Sequence, residues 1–167
     1  MQFSLAPAGT SDSGFLWRLF ESTRGQQFAQ IPLPPAQREA LVRMQFSAQQ
    51  SGYRDQYPQS QDFIVMMDDR PAGRLWLNES AAEIAIVDIA ILPEYQGGGL
   101  GTSVLGRIVS DAAHLGKTIR LRVDRMNFRA ARFYRRLGFE AVSGDDVFEE
   151  MELAAGTYGA CVPKGSG

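Results

Sequence analysis

The chain has 167 residues, 44% of them hydrophobic and 22% charged, the proportions of a soluble globular protein with one full apolar core. A net charge of −2 supplies no bulk attraction to nucleic acid or to an anionic membrane. The single cysteine, Cys161, excludes an intrachain disulfide framework, and no His/Cys cluster has the spacing of a metal site.

Phe3 and Leu5 suggest a short first strand. Thr10, Ser11 or Asp12 is placed to cap a helix running to about Thr23, with Phe15, Leu16, Leu19 and Phe20 on its buried face. Gly25 to Pro34 reads as a loop. Pro35 suits the first turn of a second helix, expected to about Gln50 with Ala40, Leu41, Met44 and Ser47 or Ala48 on one side. Ser51 to Gln61 is polar and reads as irregular. Strands are then expected over Phe63–Met67 and Arg74–Asn78, joined by the turn Asp68–Gly73. Glu83 to Leu92 is a nearly continuous apolar strand, expected to be covered on both faces. A helix with Leu100, Val104, Leu105, Ile108, Val109 and Ala112 at three- and four-residue spacing follows and ends at Gly116. Ile119–Val123 alternates as a strand, and Phe128–Leu137 is helical, closed by Gly138. Phe139–Val142 and Val147–Leu153 form a last strand pair around Gly144–Asp146.

The order is β-α-α-β-β-β-α-β-α-β-β, with no repeat and no linker. One domain is expected over 1–153, with a mobile tail over 154–167. No apolar run has the length of a membrane span. The start, Met1-Gln-Phe-Ser-Leu5, lacks the basic-then-apolar pattern of a signal peptide. The expected compartment is the cytoplasm.

The most informative segment is Val87 to Thr102: a strand stopped at Pro93, a glycine-dense turn, then a helix. The first N–H groups of a helix have no partner within it and carry the positive end of its dipole. Glycines let a phosphate approach the main chain. The motif is not the P-loop of nucleotide hydrolases, because Thr102, Ser103 and Val104 follow Gly101 where a lysine is required. It is not the dinucleotide fingerprint, whose last glycine falls on Thr102 or Val104. Gln96-Gly97-Gly98-Gly99-Leu100-Gly101 does fit Gln-x-x-Gly-x-Gly, and this resembles the pyrophosphate loop of the GNAT acetyltransferases. Downstream, Asn127, Ala130, Phe133, Tyr134, Gly138 and Phe139 are similar to that family's Asn-x-x-Ala-x-x-Phe-Tyr-x-x-x-Gly-Phe signature. The resemblance covers roughly residues 60 to 153.

The resemblance implies a GNAT-type acyl-CoA N-acyltransferase fold of the α/β (α+β) class, a mixed central sheet flanked by helices. It implies an acyltransferase (EC 2.3.1.-) that moves an acetyl group from acetyl-CoA to a primary amine of a small molecule or peptide in a ternary complex, without a metal. Family members can be homodimers. Backbone groups of Gln96, Gly97, Gly98, Gly99, Leu100, Gly101 and Thr102 would hold the pyrophosphate. Ile89 and Ile91 would pair with the pantetheine arm, and an N–H there would polarise the thioester. Asn127 would orient this region, a role compatible with capping a helix. Tyr134 matches the position that often protonates the departing thiolate, and a phenol with a pKa near 10 can do so.

The base is less defined. An alkylamine of pKa ~10.4 is about 0.04% neutral at pH 7, a deficit of about 4.6 kcal/mol. The glutamate that histone-type members carry on this strand falls on Ala85 here. A carboxylate, ordered waters or a less basic acceptor would each relieve the deficit, and Glu83 and Asp88, with Glu79, are the carboxylate candidates. Asp88 stands within an apolar run and needs a partner if it is buried. The acceptor pocket is expected from the first two helices, Gly25–Pro34, and the region from Tyr53 to Tyr57. Arginines from Arg120 to Arg136 either flank an adenosine phosphate or form a solvated face. His114 suits a helix C-terminus, and Cys161 reads as a bystander. The competing expectation is a CoA-binding regulatory module without turnover.

Overall fold

The computed structural model of the protein describes residues 2–157. Cys161 and most of the expected tail lie outside the described residues. The elements are β1 (Phe3–Pro7), α1 (Ser13–Arg24), α2 (Gln26–Ala29), α3 (Pro35–Gln56), β2 (Gln61–Met67), β3 (Arg70–Glu79), β4 (Glu83–Ile91), α4 (Leu100–Leu115), β5 (Thr118–Asp124), α5 (Phe128–Arg136), β6 (Glu140–Gly144) and β7 (Phe148–Leu153). The strands form one mixed sheet in the order β1-β2-β3-β4-β5-β7-β6. β4 lies parallel to β5, whereas β1 on β2, β5 on β7 and β6 on β7 are antiparallel. The expected element order therefore holds, with one short helix added.

The chain divides into two compact units. The first takes the residues up to Trp76 together with Asp88–Gly101; the second takes Leu77–Val87 and the residues from Thr102 onward.

In the first unit, Asp12 precedes α1 and its carboxylate accepts the Gly9 N–H at 2.8 Å. Leu16, Leu19 and Phe20 point inward from α1 at three- and four-residue spacing. Phe46 of α3 closes an aromatic cluster with Trp17 and Phe20, at centroid distances of 5.7 and 5.2 Å. Four expectations are corrected here. The segment Gly25–Pro34 contains the short helix α2. The second helix runs to Gln56 rather than Gln50. Gly52 weakens a helix by about 1 kcal/mol, but Tyr53 offsets this by packing edge-on against Trp76 at 5.5 Å and accepting the Gln49 amide at 3.2 Å. The helix stops where Tyr57, ahead of Pro58, turns to φ −129 and ψ 70. Its inward face carries Val42 and Gln50, while the expected Met44 is 58% exposed, because the aromatic cluster fixes the rotation of α3 about its axis. Finally, the β2–β3 turn is only Asp68-Asp69, at φ 48 and 60. Two consecutive left-handed residues make the tight hairpin turn that matches strand twist, so β3 begins at Arg70.

In the second unit, Ile119, Leu121 and Val123 of β5 are buried, and Arg120 and Arg122 between them are exposed. Val104, Leu105, Ile108 and Ala112 form the buried stripe of α4. Gly116 at φ +65 and Gly138 at φ +96 end α4 and α5. Ile84, Ala85 and Ile86 of β4 are 4–6% exposed, but Val87–Ile91 are only half-buried, so the cover expected on both faces holds for the first half of the strand alone.

Gly73 of β3 is fixed by crowding. A Cβ there would stand 2.4 Å from the Ala90 carbonyl oxygen and 3.3 Å from the Ile91 Cα. Both neighbours are backbone and cannot rotate away. Gly73→Ala is expected to destabilise the fold by about 1–3 kcal/mol, read as a lower urea midpoint at unchanged m-value. An unchanged midpoint would show that β4 can yield.

Candidate functional site

The glycine-rich segment is shaped by the end of β4. A single 3-10 turn, Pro93–Tyr95, carries the chain from the strand to Gln96. The Gln96 side-chain amide donates back to the Ile91 carbonyl at 2.8 Å, tying the start of the loop to the last residue of the strand. Gly97 and Gly99 sit at φ +79 and +88, conformations that strain any residue with a Cβ. A Cβ on Gly97 would meet nothing within 4 Å, so that glycine serves backbone shape and not packing. Gly97, Gly98 and Gly99 are exposed. Leu100, 2% exposed, anchors the first turn of α4, whose opening N–H groups have no intrahelical acceptor. An exposed glycine backbone running into the positive end of a 16-residue helix suits a diphosphate.

The parallel register of β4 on β5 runs from Glu83↔Thr118 to Ile86↔Leu121, and β4 continues through Val87–Ile91. Ile89 and Ile91 share one face of the strand, and Asp88 lies on the other. Asp88 is a half-buried residue whose side chain is 9% exposed, and its Oδ1 accepts Arg24 Nη2 at 3.0 Å. The partner that its burial demanded is thus Arg24, at the last turn of α1. Tyr53 belongs to the same cluster. Its phenol is held above the ordinary value near 10, first by burial and then by the Asp88 charge, with Arg24 and Gln49 opposing.

Glu83 stands at the opposite end of β4. Its carboxylate is 3.7 Å from Arg120 Nε, and Arg120 also bonds Glu152. Roughly 26 Å of strand, at about 3.3 Å per residue, separates Glu83 from Ile91. Glu79 is engaged by Lys117 at 2.5 Å. Glu79 and Glu83 are thus each held in an ion pair within the second unit, and Asp88 in one within the first. In the second unit, Asn127 caps α5, its Oδ1 accepting the Ala130 N–H at 3.1 Å. Tyr134 is 8% exposed, its ring 5.7 Å from those of Phe133 and Phe139. The basic run is largely matched by acids: Arg122 pairs with Asp145, and Arg125 and Arg135 with Glu149. His114 stays local, its ring nitrogen 2.8 Å from the Ser110 carbonyl. Among the described residues no group of acidic, His and Cys side chains could hold a metal ion, and no helix is long and apolar enough to cross a membrane.

The sequence pattern of the Acetyltransferase (GNAT) family matches residues 26–139. The chain belongs to the GNAT acetyltransferase family. No curated protein sequence matches it. Among solved structures, the PaiA N-acetyltransferase of Thermoplasma acidophilum in complex with coenzyme A is similar at 20% identity and TM-score 0.70, covering 92% of this chain and 99% of that one. An acetyltransferase of Thermus thermophilus is similar at 22% identity and TM-score 0.66, covering 92% and 97%. The N-acetyltransferase PseH of Campylobacter jejuni in complex with acetyl coenzyme A is similar at 14% identity and TM-score 0.60, covering 92% and 99%. At these identities the structures establish a shared GNAT fold. The family makes the chain an acyltransferase by class.

Arg24 had no signal in the sequence. It lies 64 positions from Asp88, in a helix whose sequence signal is the buried face of Leu16, Leu19 and Phe20. Tyr53 fell inside the region expected to form the acceptor pocket, though as part of an irregular segment and not a helix.

Because the Tyr53 phenol is raised in the folded state, its contribution to stability is complete below pH 10 and is lost as pH rises through the raised folded value. The difference between wild-type and Tyr53→Phe absorbance titrations at the tyrosinate band should therefore show a component titrating above the ordinary phenol. A component at or below it would contradict the burial described.

Proposed function

We propose that this GNAT protein is an N-acetyltransferase that moves the acetyl group of acetyl-CoA to a primary amine by direct attack in a ternary complex. The observation that carries the proposal is the loop Gln96–Gly101, with two glycines in left-handed conformations at the start of α4. In that reading the backbone of Gln96 to Thr102 holds the pyrophosphate, and Asn127 assists in orienting the coenzyme. The main chain of Ile89 and Ile91 pairs with the pantetheine arm and offers an N–H to the thioester carbonyl oxygen.

The amine nitrogen attacks the carbonyl carbon; the C–N bond forms and the C–S bond breaks. One proton leaves the nitrogen and one is needed by the sulfur, so the products are an amide and a thiol. Asp88 is the proposed acceptor of the first proton. The acidity of the nitrogen rises steeply as the C–N bond forms, which makes a carboxylate a sufficient base at that stage. Glu83, paired with Arg120 at the far end of the strand, is the weaker candidate. Tyr134 is the proposed donor of the second proton, on the strength of its place in the Asn127–Phe139 signature.

A CoA-binding protein without turnover is the competing reading, favoured by Ala85 at the usual glutamate position and by the engagement of Asp88 with Arg24. Thiol release from acetyl-CoA in the presence of an amine panel separates the two. Tyr134→Phe is expected to lower kcat by about a hundredfold with the acetyl-CoA dissociation constant unchanged. Asp88→Asn should lower kcat similarly, again with the acetyl-CoA dissociation constant unchanged. Binding of acetyl-CoA with no amine-dependent thiol release would support the non-catalytic reading.

A further inference from the structure

Two carboxylates of the first unit are neutralised in different ways. Asp62 holds Arg74 with both oxygens, Oδ1 to Nε at 2.8 Å and Oδ2 to Nη2 at 2.7 Å, and Arg74 is 3% exposed. The Trp76 ring covers that guanidinium at 4.4 Å. This pair is closed. Asp88 holds Arg24 through one oxygen at 3.0 Å, and Arg24 remains 38% exposed against 9% for Asp88. A one-point pair whose cation reaches water can open. Arg24 can move outward on its flexible stem, whereas Asp88, set in β4, stays where it is. Tyr53 adds a hydroxyl that accepts the Gln49 amide at 3.2 Å and lies within the fields of Asp88 and Arg24. Beside Asp88 is a cavity of about 10 Å³ walled by Leu16, Leu19, Phe20 and Phe46, room for a single water.

We propose that Arg24 and Asp88 together recognise the acceptor, and that the acceptor is a primary amine with a carboxylate on the same carbon, a free α-amino acid. The proposal rests on the N-acetyltransferase reading and names its substrate class. Opening the pair leaves the buried Asp88 carboxylate without its counter-charge, which is strongly unfavourable unless it is re-paired, and frees the 38% exposed Arg24 guanidinium to take a carboxylate in a two-point contact. A polyamine neutralises Asp88 but sets a second cation against Arg24. A neutral amine satisfies neither. An α-amino acid carries an ammonium and a carboxylate side by side, so each half of the ion pair exchanges one partner for another of the same charge. The carboxylate takes the Arg24 guanidinium and the Tyr53 hydroxyl. The ammonium takes Asp88, on the strand that leads into the glycine loop; it releases one proton to solvent before attack, and Asp88 accepts the second as the C–N bond forms.

The test compares L-amino acids with their own amides, and with spermidine, as acceptors for the wild-type protein, with thiol release from acetyl-CoA as readout. Amides have the less basic amine, so more of it is neutral at pH 7 and intrinsic reactivity favours them; a preference for the free acid is therefore diagnostic. The expected result is a kcat/KM for the best free amino acid roughly tenfold or more above that of its amide. Arg24→Gln should abolish that preference with the acetyl-CoA dissociation constant unchanged, and Arg24→Lys should keep part of it. Preference for amides or spermidine, an unchanged preference in Arg24→Gln, or turnover of no free amino acid would each overturn the proposal. The wild-type comparison needs no variant to fold. A wild-type protein that does not bind acetyl-CoA would instead remove the N-acetyltransferase reading itself, so the two failures are distinguishable.

Discussion

The hydrogen bond from the Gln96 side chain to the Ile91 carbonyl, at 2.8 Å, fixes how β4 gives way to α4. The chain must leave the half-buried end of β4, turn sharply and enter a helix without filling the space ahead of the helix with side chains. Pro93 stops the strand, the amide of Gln96 holds the turn to it, and Gly97 and Gly99 take up the left-handed angles that the turn needs. Leu100 then fastens the first turn of α4 into the core. What is left exposed is main chain, with N–H groups that the helix itself does not use. The proposed grip on a diphosphate would rest on this arrangement of main chain and would need no charged side chain.

A second constraint follows from placing a carboxylate on the same strand. Asp88 lies among apolar neighbours, and a charge so placed must be met by another or be strongly disfavoured. The counter-charge comes from the last turn of α1, where a cation also interacts favourably with the helix dipole. Arg24 is long enough to reach Asp88 while keeping part of its guanidinium in water. The first unit thus contains one closed ion pair, Arg74–Asp62, that ties β2 to β3, and one open pair beside the strand that enters the glycine loop. The difference in exposure of the two arginines is what distinguishes a fixed element of the fold from a pair able to exchange partners.

Much of this was legible in the sequence because it is local. The order of the elements, the ends of α4 and α5 at Gly116 and Gly138, the alternation of β5 and the glycine loop all depend on residues within a few positions of one another. The departures arise where distant contacts decide. Gly52 and the polar residues around it hide the last turns of α3, which hold because Tyr53 meets Trp76 of β3. The buried face of α3 is set by Phe46 docking on Trp17 and Phe20, and periodicity in a helix with so few apolar residues could not reveal it. The two aspartates of the β2–β3 turn resemble an ordinary polar loop until their positive φ angles are seen. The need for a partner at Asp88 was readable from the apolar run around it, but the partner's identity was not, since nothing near Arg24 in sequence refers to it.

The central claim is that the glycine loop is the coenzyme grip, and a calorimetric titration with acetyl-CoA of the wild-type protein and of Gly99→Glu tests it most directly. The substitution places a side chain where φ is +88 and a negative charge where phosphates are proposed to lie. The account predicts a dissociation constant in the micromolar range for the wild type, of the order usual for enzyme substrates, and no measurable binding for a variant that remains folded. Absence of binding by the wild type, or equal affinity in the two proteins, would contradict it.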